Sequence, residues 1–275
     1  VVVTLDGARA ALDRPTLFFG VPTMYGRRVQ ELEGRESRVV LLPLRLFCSG
    51  CAPLDPELFR AFGAHTGPSL LERYGMTETG MLLSNPYDGP RRPGTVGLPL
   101  PGVSARVVDA DGADLPDGTE GELLVRGATV FSGYWQAAEK TAASFSQDGD
   151  GQRWFHTGDL ARRDPLTGCY TLLGRRHELI LSGGFNIYPR EIEEVLTTHR
   201  DVREAAVVGR PHPEWGETPM AYLVVDRPVE EEALIDHCKQ EIASFKVPRH
   251  YAFVDTLPRN ALGKVQKHLL PDPTD

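Results

Sequence analysis

The chain has 275 residues, of which 41% are hydrophobic and 25% charged, and a formal net charge of -8 at pH 7. That length can bury a sizeable core in one or two domains of ordinary globular composition. The acidic balance leaves no basic footprint for nucleic acid, and the sequence holds no run of about 18 apolar residues to span a membrane. It opens on Val1-Val2-Val3-Thr4, with no initiator methionine and no basic-flanked signal, and reads as the later part of a longer protein.

In chain order, residues 16–23 (Thr-Leu-Phe-Phe-Gly-Val-Pro-Thr) predict a buried strand ending in a turn, and residues 24–32 a helix. Residues 44–48 predict a second strand. Residues 55–64 predict an amphipathic helix with Leu58, Phe59 and Phe62 on its apolar face. Alternating strands and helices imply parallel pairing in an α/β layer. After Asn85 the chain is rich in Pro and Gly to residue 102. Short strands then follow at 104–108, 121–126 and 168–173, with turn signals at Asp111-Gly112 and Asp117-Gly118 and a helix over 137–145. This is a small all-β module. A third texture begins near Gly174. A helix over 189–198 starts at Pro189 and carries Glu191, Glu193 and Glu194 in its first turns. Strands at 205–208, 220–225 and 251–254 and a helix over 231–242 complete a small α+β domain.

Four cysteines are present, Cys48, Cys51, Cys169 and Cys238. Cys48-Ser49-Gly50-Cys51 has C-x-x-C spacing, but no second pair or H-x-x-x-H supplies further zinc ligands, so small residues in a tight turn are the better reading. Few unpatterned cysteines suit a reducing cytoplasm.

Several segments carry chemistry. Tyr74-Gly75-Met76-Thr77-Glu78 sets an aromatic face, a glycine allowing close approach, a hydroxyl and a carboxylate within one short stretch. Such a set can stack on a base, contact a phosphate and hold Mg²⁺, which takes oxygen ligands and bridges carboxylate and nucleotide phosphate. The plainer reading of the segment alone is a loop with a core tyrosine and a solvated glutamate. Asp159, after the glycine of Thr157-Gly158-Asp159, can accept two hydroxyl hydrogen bonds as a ribose would need, though the tripeptide alone is an ordinary turn. Ser182-Gly183-Gly184 leaves backbone room, or is a plain Gly-Gly turn. Lys264 ends Pro258-Arg259-Asn260-Ala261-Leu262-Gly263-Lys264, whose turn residues present one side chain inward; Lys267 and His268 beside it read as solvated surface groups.

These segments, with Ser49-Gly50-Cys51-Ala52-Pro53-Leu54 and Gly174-Arg175-Arg176-His177-Glu178-Leu179-Ile180, resemble the adenylate-forming superfamily, specifically the acyl-CoA synthetases and most closely the malonyl-CoA synthetases. The likeness runs over nearly the whole chain but covers only the latter half of such a protein. No Ser/Thr-Gly-x-Pro-Lys-Gly phosphate loop occurs here. The resemblance implies an α/β plus α+β fold: part of a large domain over 1–174 (α/β to 90, then a small barrel-like β module), and a mobile lid over 175–275 with its hinge at 174–178. It implies ATP, Mg²⁺ and coenzyme A. It places Ser49, Gly50, Cys51, Ala52, Tyr74 and Gly75 on the nucleotide, Asp159 and Arg175 on its ribose, Thr77 on phosphate and Glu78 on Mg²⁺. Lys264 is then catalytic, Glu178 the hinge, and Ser182, Gly183 and Gly184 line the coenzyme A tunnel. Cys51, Glu178 and Leu181 depart from the usual serine, aspartate and lysine.

Arg73 and Arg27 match two arginines of malonate-activating relatives, and two guanidinium forks would hold the distal carboxylate of such an acid. The plainer reading pairs Arg73 with Glu72 or Glu78 and turns Arg27 or Arg28 to water. The expected reaction is ligation of a carboxylic acid, malonate foremost, to coenzyme A through an acyl-adenylate. The rivals are a ligase for another short, fatty or aryl acid, an adenylation module of a peptide synthetase, and an inactive fragment lacking the phosphate loop.

Overall fold

The computed structural model describes residues 16–32, 44–50, 52, 54–260 and 263–271. The chain divides into two compact units, one of residues 1–157 with 161–172, the other of 158–160 with 173–275.

In the first unit β1 (Leu17–Gly20), α1 (Pro22–Leu32), β2 (Leu46–Ser49), α2 (Pro56–Thr66) and β3 (Leu71–Met76) alternate along the chain. β1 pairs with β2 and β2 with β3, both in parallel, as the strand–helix alternation predicts. α2 has a complete N-terminus: the Asp55 side chain accepts from Glu57 N at 2.7 Å, and Pro56 occupies the first turn. Its apolar face buries Phe59 and Phe62 against Tyr25, Val29, Phe47, Leu54 and Leu70. β4 (Gly80–Ser84) and β5 (Leu98–Pro99) extend the sheet antiparallel, in the order β1-β2-β3-β4-β5. β3 and β4 are absent from the sequence expectation, because Glu72, Arg73 and Gly75 break any apolar alternation.

A second sheet contains β6 (Val103–Val108), β7 (Glu120–Gly127), β8 (Phe145–Gln147), β9 (Arg153–Arg163) and β10 (Tyr170–Arg175), with α3 (Ala138–Ala143) ahead of β8. Its order is β10-β9-β7-β6, with β8 attached to β9. The sheet is open, a correction to the barrel-like form expected: β6 and β10 end the path without pairing to each other. β9 also runs through Thr157-Gly158-Asp159 where the sequence suggests a turn, and Gly158 accommodates this with φ +70°. Leu123, Val125, Phe155 and Tyr170 pack here against Leu82 and Leu83 of β4.

In the second unit a 3₁₀ turn (Arg176–Glu178) leads to β11 (Ile180–Ser182), β12 (Phe185–Ile187), α4 (Pro189–Thr197), β13 (Val202–His212), β14 (Gly216–Val225), α5 (Glu231–Glu241) and β15 (His250–Phe253). The sheet order is β12-β11-β14-β13, with β15 parallel on β14. β14 is buried on both faces, and its alternation separates two cores. Ala221 and Leu223 meet Ile192 and Leu196 of α4 and Leu234 and Cys238 of α5, while Met220, Tyr222 and Val224 meet Leu257. Each Val, Leu, Ile or Met side chain among these contributes about 1.5–3 kcal/mol on full burial. Among the described residues, no helix is long and apolar enough to cross a membrane.

Candidate nucleotide and acid site

Ser49 ends β2 and lies in register with Gly20 on one side and Glu72 on the other. Its hydroxyl is fully buried and, among the described residues, has no hydrogen-bond partner. Beyond it the chain turns through Gly50 and the half-buried Ala52 to Leu54, whose backbone N donates to Glu72 Oε1 at 3.0 Å. Cys51 and Pro53 lie outside the described residues. Cys48, Cys169 and Cys238 are buried free thiols, and burial pushes the Cys48 thiol up, which favours the inert reading of this turn. Among the described residues no cluster of three metal-ligating side chains occurs.

Successive residues on a strand point to opposite faces, so Glu72 and Arg73 of β3 diverge. Glu72 is buried towards Leu54, and Glu78 Oε1 accepts from the Tyr134 hydroxyl at 3.2 Å. Arg73 therefore pairs with neither. Its Nη1 donates to Met81 Sδ at 2.7 Å, its guanidinium carbon lies 5.7 Å from the Phe19 ring centroid, and its Nε is buried without an acceptor among the described residues. Gly50 gives this side chain its room, since a Cβ there would stand 3.1 Å from Arg73 Nη1. Arg27 is exposed on α1.

Tyr74 is half-buried against the core of the second sheet, opposite Leu83. A bulge follows it, and there the two strands come so close that a Cβ on Gly75 would stand 2.1 Å from Gly80 O. The close approach that needs this glycine is thus within the β3–β4 hairpin. Thr77 is exposed in the turn, and Glu78 is half-buried beside it. Tyr134, which the sequence reading misses, is the neighbour of Glu78. Burial and then the Glu78 carboxylate push its phenol above the ordinary value, so it stays a donor. One carboxylate beside an exposed hydroxyl suits Mg²⁺ shared with nucleotide phosphates.

In the second unit Asp159 is buried, and Arg175 Nε meets its Oδ1 at 3.0 Å. The structure thus joins the two residues expected on one sugar. Gly183 and Gly184 have φ of +56° and +84° and link β11 to β12 where Ser182 pairs with Phe185. Two positive φ values make this a tight primed hairpin turn, which by itself requires both glycines. Gly183 N donates to Trp215 O at 2.9 Å, and the Trp215 ring lies between His212, stacked at 4.4 Å, and Arg249, 3.4 Å above it.

Lys264 sits on a short strap in which Arg259 bridges Val265, Lys264 N donates to Asn260 Oδ1 at 2.9 Å and Gln266 N to Pro258 O at 2.8 Å. Ala261 and Leu262 of this strap lie outside the described residues. The strap holds the Lys264 side chain exposed, a correction to the inward presentation expected, and among the described residues no carboxylate meets its ammonium. Lys267 is also corrected: it is largely buried, with Nζ 2.7 Å from Glu193 Oε1 and 3.2 Å from Glu178 Oε2. Burial pulls this ammonium down, but Glu193 and then Glu178 outweigh it, and it ends above the ordinary lysine value. Neither partner is near Lys267 in sequence, so no local pattern signals the cluster.

Family models match in two stretches, an AMP-binding enzyme model over residues 8–135 and an AMP-binding enzyme C-terminal domain model over residues 191–264. The chain belongs to the AMP-binding enzyme family. It is 44% identical over 226 residues to a sulfoacetate–CoA ligase of Cupriavidus necator, covering 80% of this chain and 43% of that one. It is 37% identical over 278 residues to a malonate–CoA ligase of Arabidopsis thaliana, covering 93% and 44%. Among solved structures it resembles ATP-bound MatB from Rhodopseudomonas palustris at a TM-score of 0.88 and 44% identity, covering 96% of this chain and 52% of that one. The chain therefore spans about half the length of these relatives.

Proposed function

We propose that this chain is part of an ATP-dependent acid–CoA ligase whose acid is malonate. In the first half-reaction a substrate carboxylate oxygen bonds to the α-phosphorus of ATP and pyrophosphate leaves. In the second, the coenzyme A thiolate bonds to the acyl carbon, AMP leaves, and the thiol proton passes to solvent. Ser49, Gly50, Cys51, Ala52, Tyr74 and Gly75 border the adenine, Thr77 meets phosphate, and Asp159 and Arg175 hold the ribose. Glu78 would hold Mg²⁺, which supplies charge neutralisation at the phosphates. Lys264 serves the first half-reaction, Ser182, Gly183 and Gly184 the second, and the second unit turns about Glu178 between them. The three buried thiols suit a reducing compartment such as the cytoplasm.

The observation that carries the malonate reading is the state of Arg73. A guanidinium bedded on Phe19 and Met81, with a buried Nε that lacks an acceptor among the described residues, suits an anion more than an alkyl tail. Arg27 is the second fork of this clamp. The Cupriavidus relative supports a second reading, sulfoacetate, in which Arg73 takes a sulfonate.

The test is a fusion of this chain to the first half of the Rhodopseudomonas relative, assayed for ATP–pyrophosphate exchange with malonate, sulfoacetate and butyrate. Malonate is expected to give the highest kcat/KM. Preference for butyrate contradicts the clamp, and preference for sulfoacetate selects the second reading. The chain without the fusion partner is expected to give no exchange, because it has no glycine-rich loop to cradle the β- and γ-phosphates.

Ser49→Ala gives a separate check. Removing a buried hydroxyl that has no partner among the described residues is expected to leave melting unchanged or raise stability by up to about 1 kcal/mol, while weakening AMP binding in the fusion. A large loss of stability would show instead that the hydroxyl is satisfied within the fold.

A further inference from the structure

Lys267 begins the 3₁₀ turn Lys267–Leu269, directly behind the strap that carries Lys264. Its ammonium reaches two separate elements. Glu178 closes the 3₁₀ turn after β10, and Glu193 lies on α4, where its Oε1 also accepts from Val207 N of β13 at 2.8 Å. One cation thus ties the Glu178 turn, α4 and β13 to the base of the strap. On the strap's other side, Arg259 Nη2 reaches Glu204 Oε2 of β13 at 2.5 Å, and Arg259 Nη1 reaches Gly263 O at 2.6 Å. The strap is pinned at both ends, and only the Lys267 pin also holds the Glu178 turn.

The geometry also selects which backbone angle at Glu178 is held. A side chain fixed to the body that follows it constrains ψ of its own residue, whereas φ still governs the chain that precedes it. With Glu178 anchored through Lys267, the turn moves with the body of the second unit, and pivoting at this residue falls on φ.

We propose that Lys267 is a positioning residue: by gripping Glu178 and Glu193 together it makes the Glu178 turn and the Lys264 strap one mechanical piece, so that the place of Lys264 depends on the state of the turn. This rests on the reading of Lys264 as the residue of the first half-reaction.

The first experiment needs no activity. Amide hydrogen exchange is followed in the 275-residue chain and in its K267M, K267R and E178Q variants. K267M is expected to speed exchange about tenfold at Leu179 in the turn and at Lys264 and Gln266 in the strap, leaving the β13–β14 amides unchanged. K267R is expected to stay near wild type. E178Q keeps the Lys267–Glu193 pair and so guards against simple unfolding. It is expected to speed the strap amides at least about threefold, although the substitution lies on the other element. Wild-type exchange at the strap in E178Q, or a uniform rise across the whole unit in K267M, overturns the proposal.

The second experiment uses the fusion. K267M is expected to lower malonate-dependent pyrophosphate exchange about tenfold in kcat, with KM for ATP and malonate unchanged. Transfer from a supplied malonyl-adenylate to coenzyme A is expected to stay within about twofold, and K267R to restore exchange. Equal losses in both half-reactions indicate a purely structural role and overturn the proposal. A wild-type fusion that makes no adenylate refutes the functional reading instead, and the hydrogen-exchange result still decides the coupling.

Discussion

Arg73→Met in the fusion is expected to lower kcat/KM for malonate about 100-fold, or about 2.7 kcal/mol, the order that losing one partner of a hydrogen-bonded charge pair costs. The same substitution is expected to raise kcat/KM for butyrate, because it replaces a half-buried cation with an apolar surface beside Phe19 and Met81. Arg73→Lys is expected to fall between, since an ammonium is a compact charge without the planar fork that grips a carboxylate by two bonds. Folding is expected to change little. Among the described residues, Arg73 has no carboxylate partner and its buried Nε has no acceptor to lose. An Arg73→Met protein that keeps malonate preference would remove the clamp from the account. One that loses malonate activity together with thermal stability would make Arg73 a structural residue.

Lys264→Ala carries the second large effect. In the role proposed for Lys264, at the charge building on the α-phosphate and attacking carboxylate, its removal is expected to lower malonate-dependent pyrophosphate exchange by roughly 100- to 1,000-fold, about 3–4 kcal/mol. Stability is expected to be unaffected, because the side chain is exposed and the strap is held by Asn260, Arg259 and Lys267 through contacts that Lys264 does not supply from its side chain. Conversion of supplied malonyl-adenylate to the thioester is expected to continue at the wild-type rate. A loss spread evenly over both steps would point to general damage to the second unit.

The parts of the molecule legible in the sequence are those encoded in contiguous residues. The α2 helix follows from Asp55, Pro56 and the spacing of Phe59 and Phe62, and parallel pairing of β1 and β2 follows from the helix between them. The motif segments are contiguous too, and the structure joins Asp159 to Arg175 and sets Gly50 beside Arg73. What escapes is set by distant partners. β3 is hidden because its buried Glu72 serves Leu54 across a turn, and β9 because Gly158 takes a positive φ inside a strand. Strand alternation alone separates Glu72 from Arg73, but only once β3 is recognised as a strand. Lys267 resembles any surface lysine until the fold brings Glu178 and Glu193 to it.

Adenylate formation is tested most directly by isotope transfer. The fusion is given malonate labelled with ¹⁸O in both carboxylates, ATP and coenzyme A, and the products are followed by ³¹P NMR. One ¹⁸O is expected in the AMP formed, with unlabelled pyrophosphate, because the attacking carboxylate oxygen stays on the α-phosphorus when the thioester forms. Label in inorganic phosphate alongside ADP would contradict it.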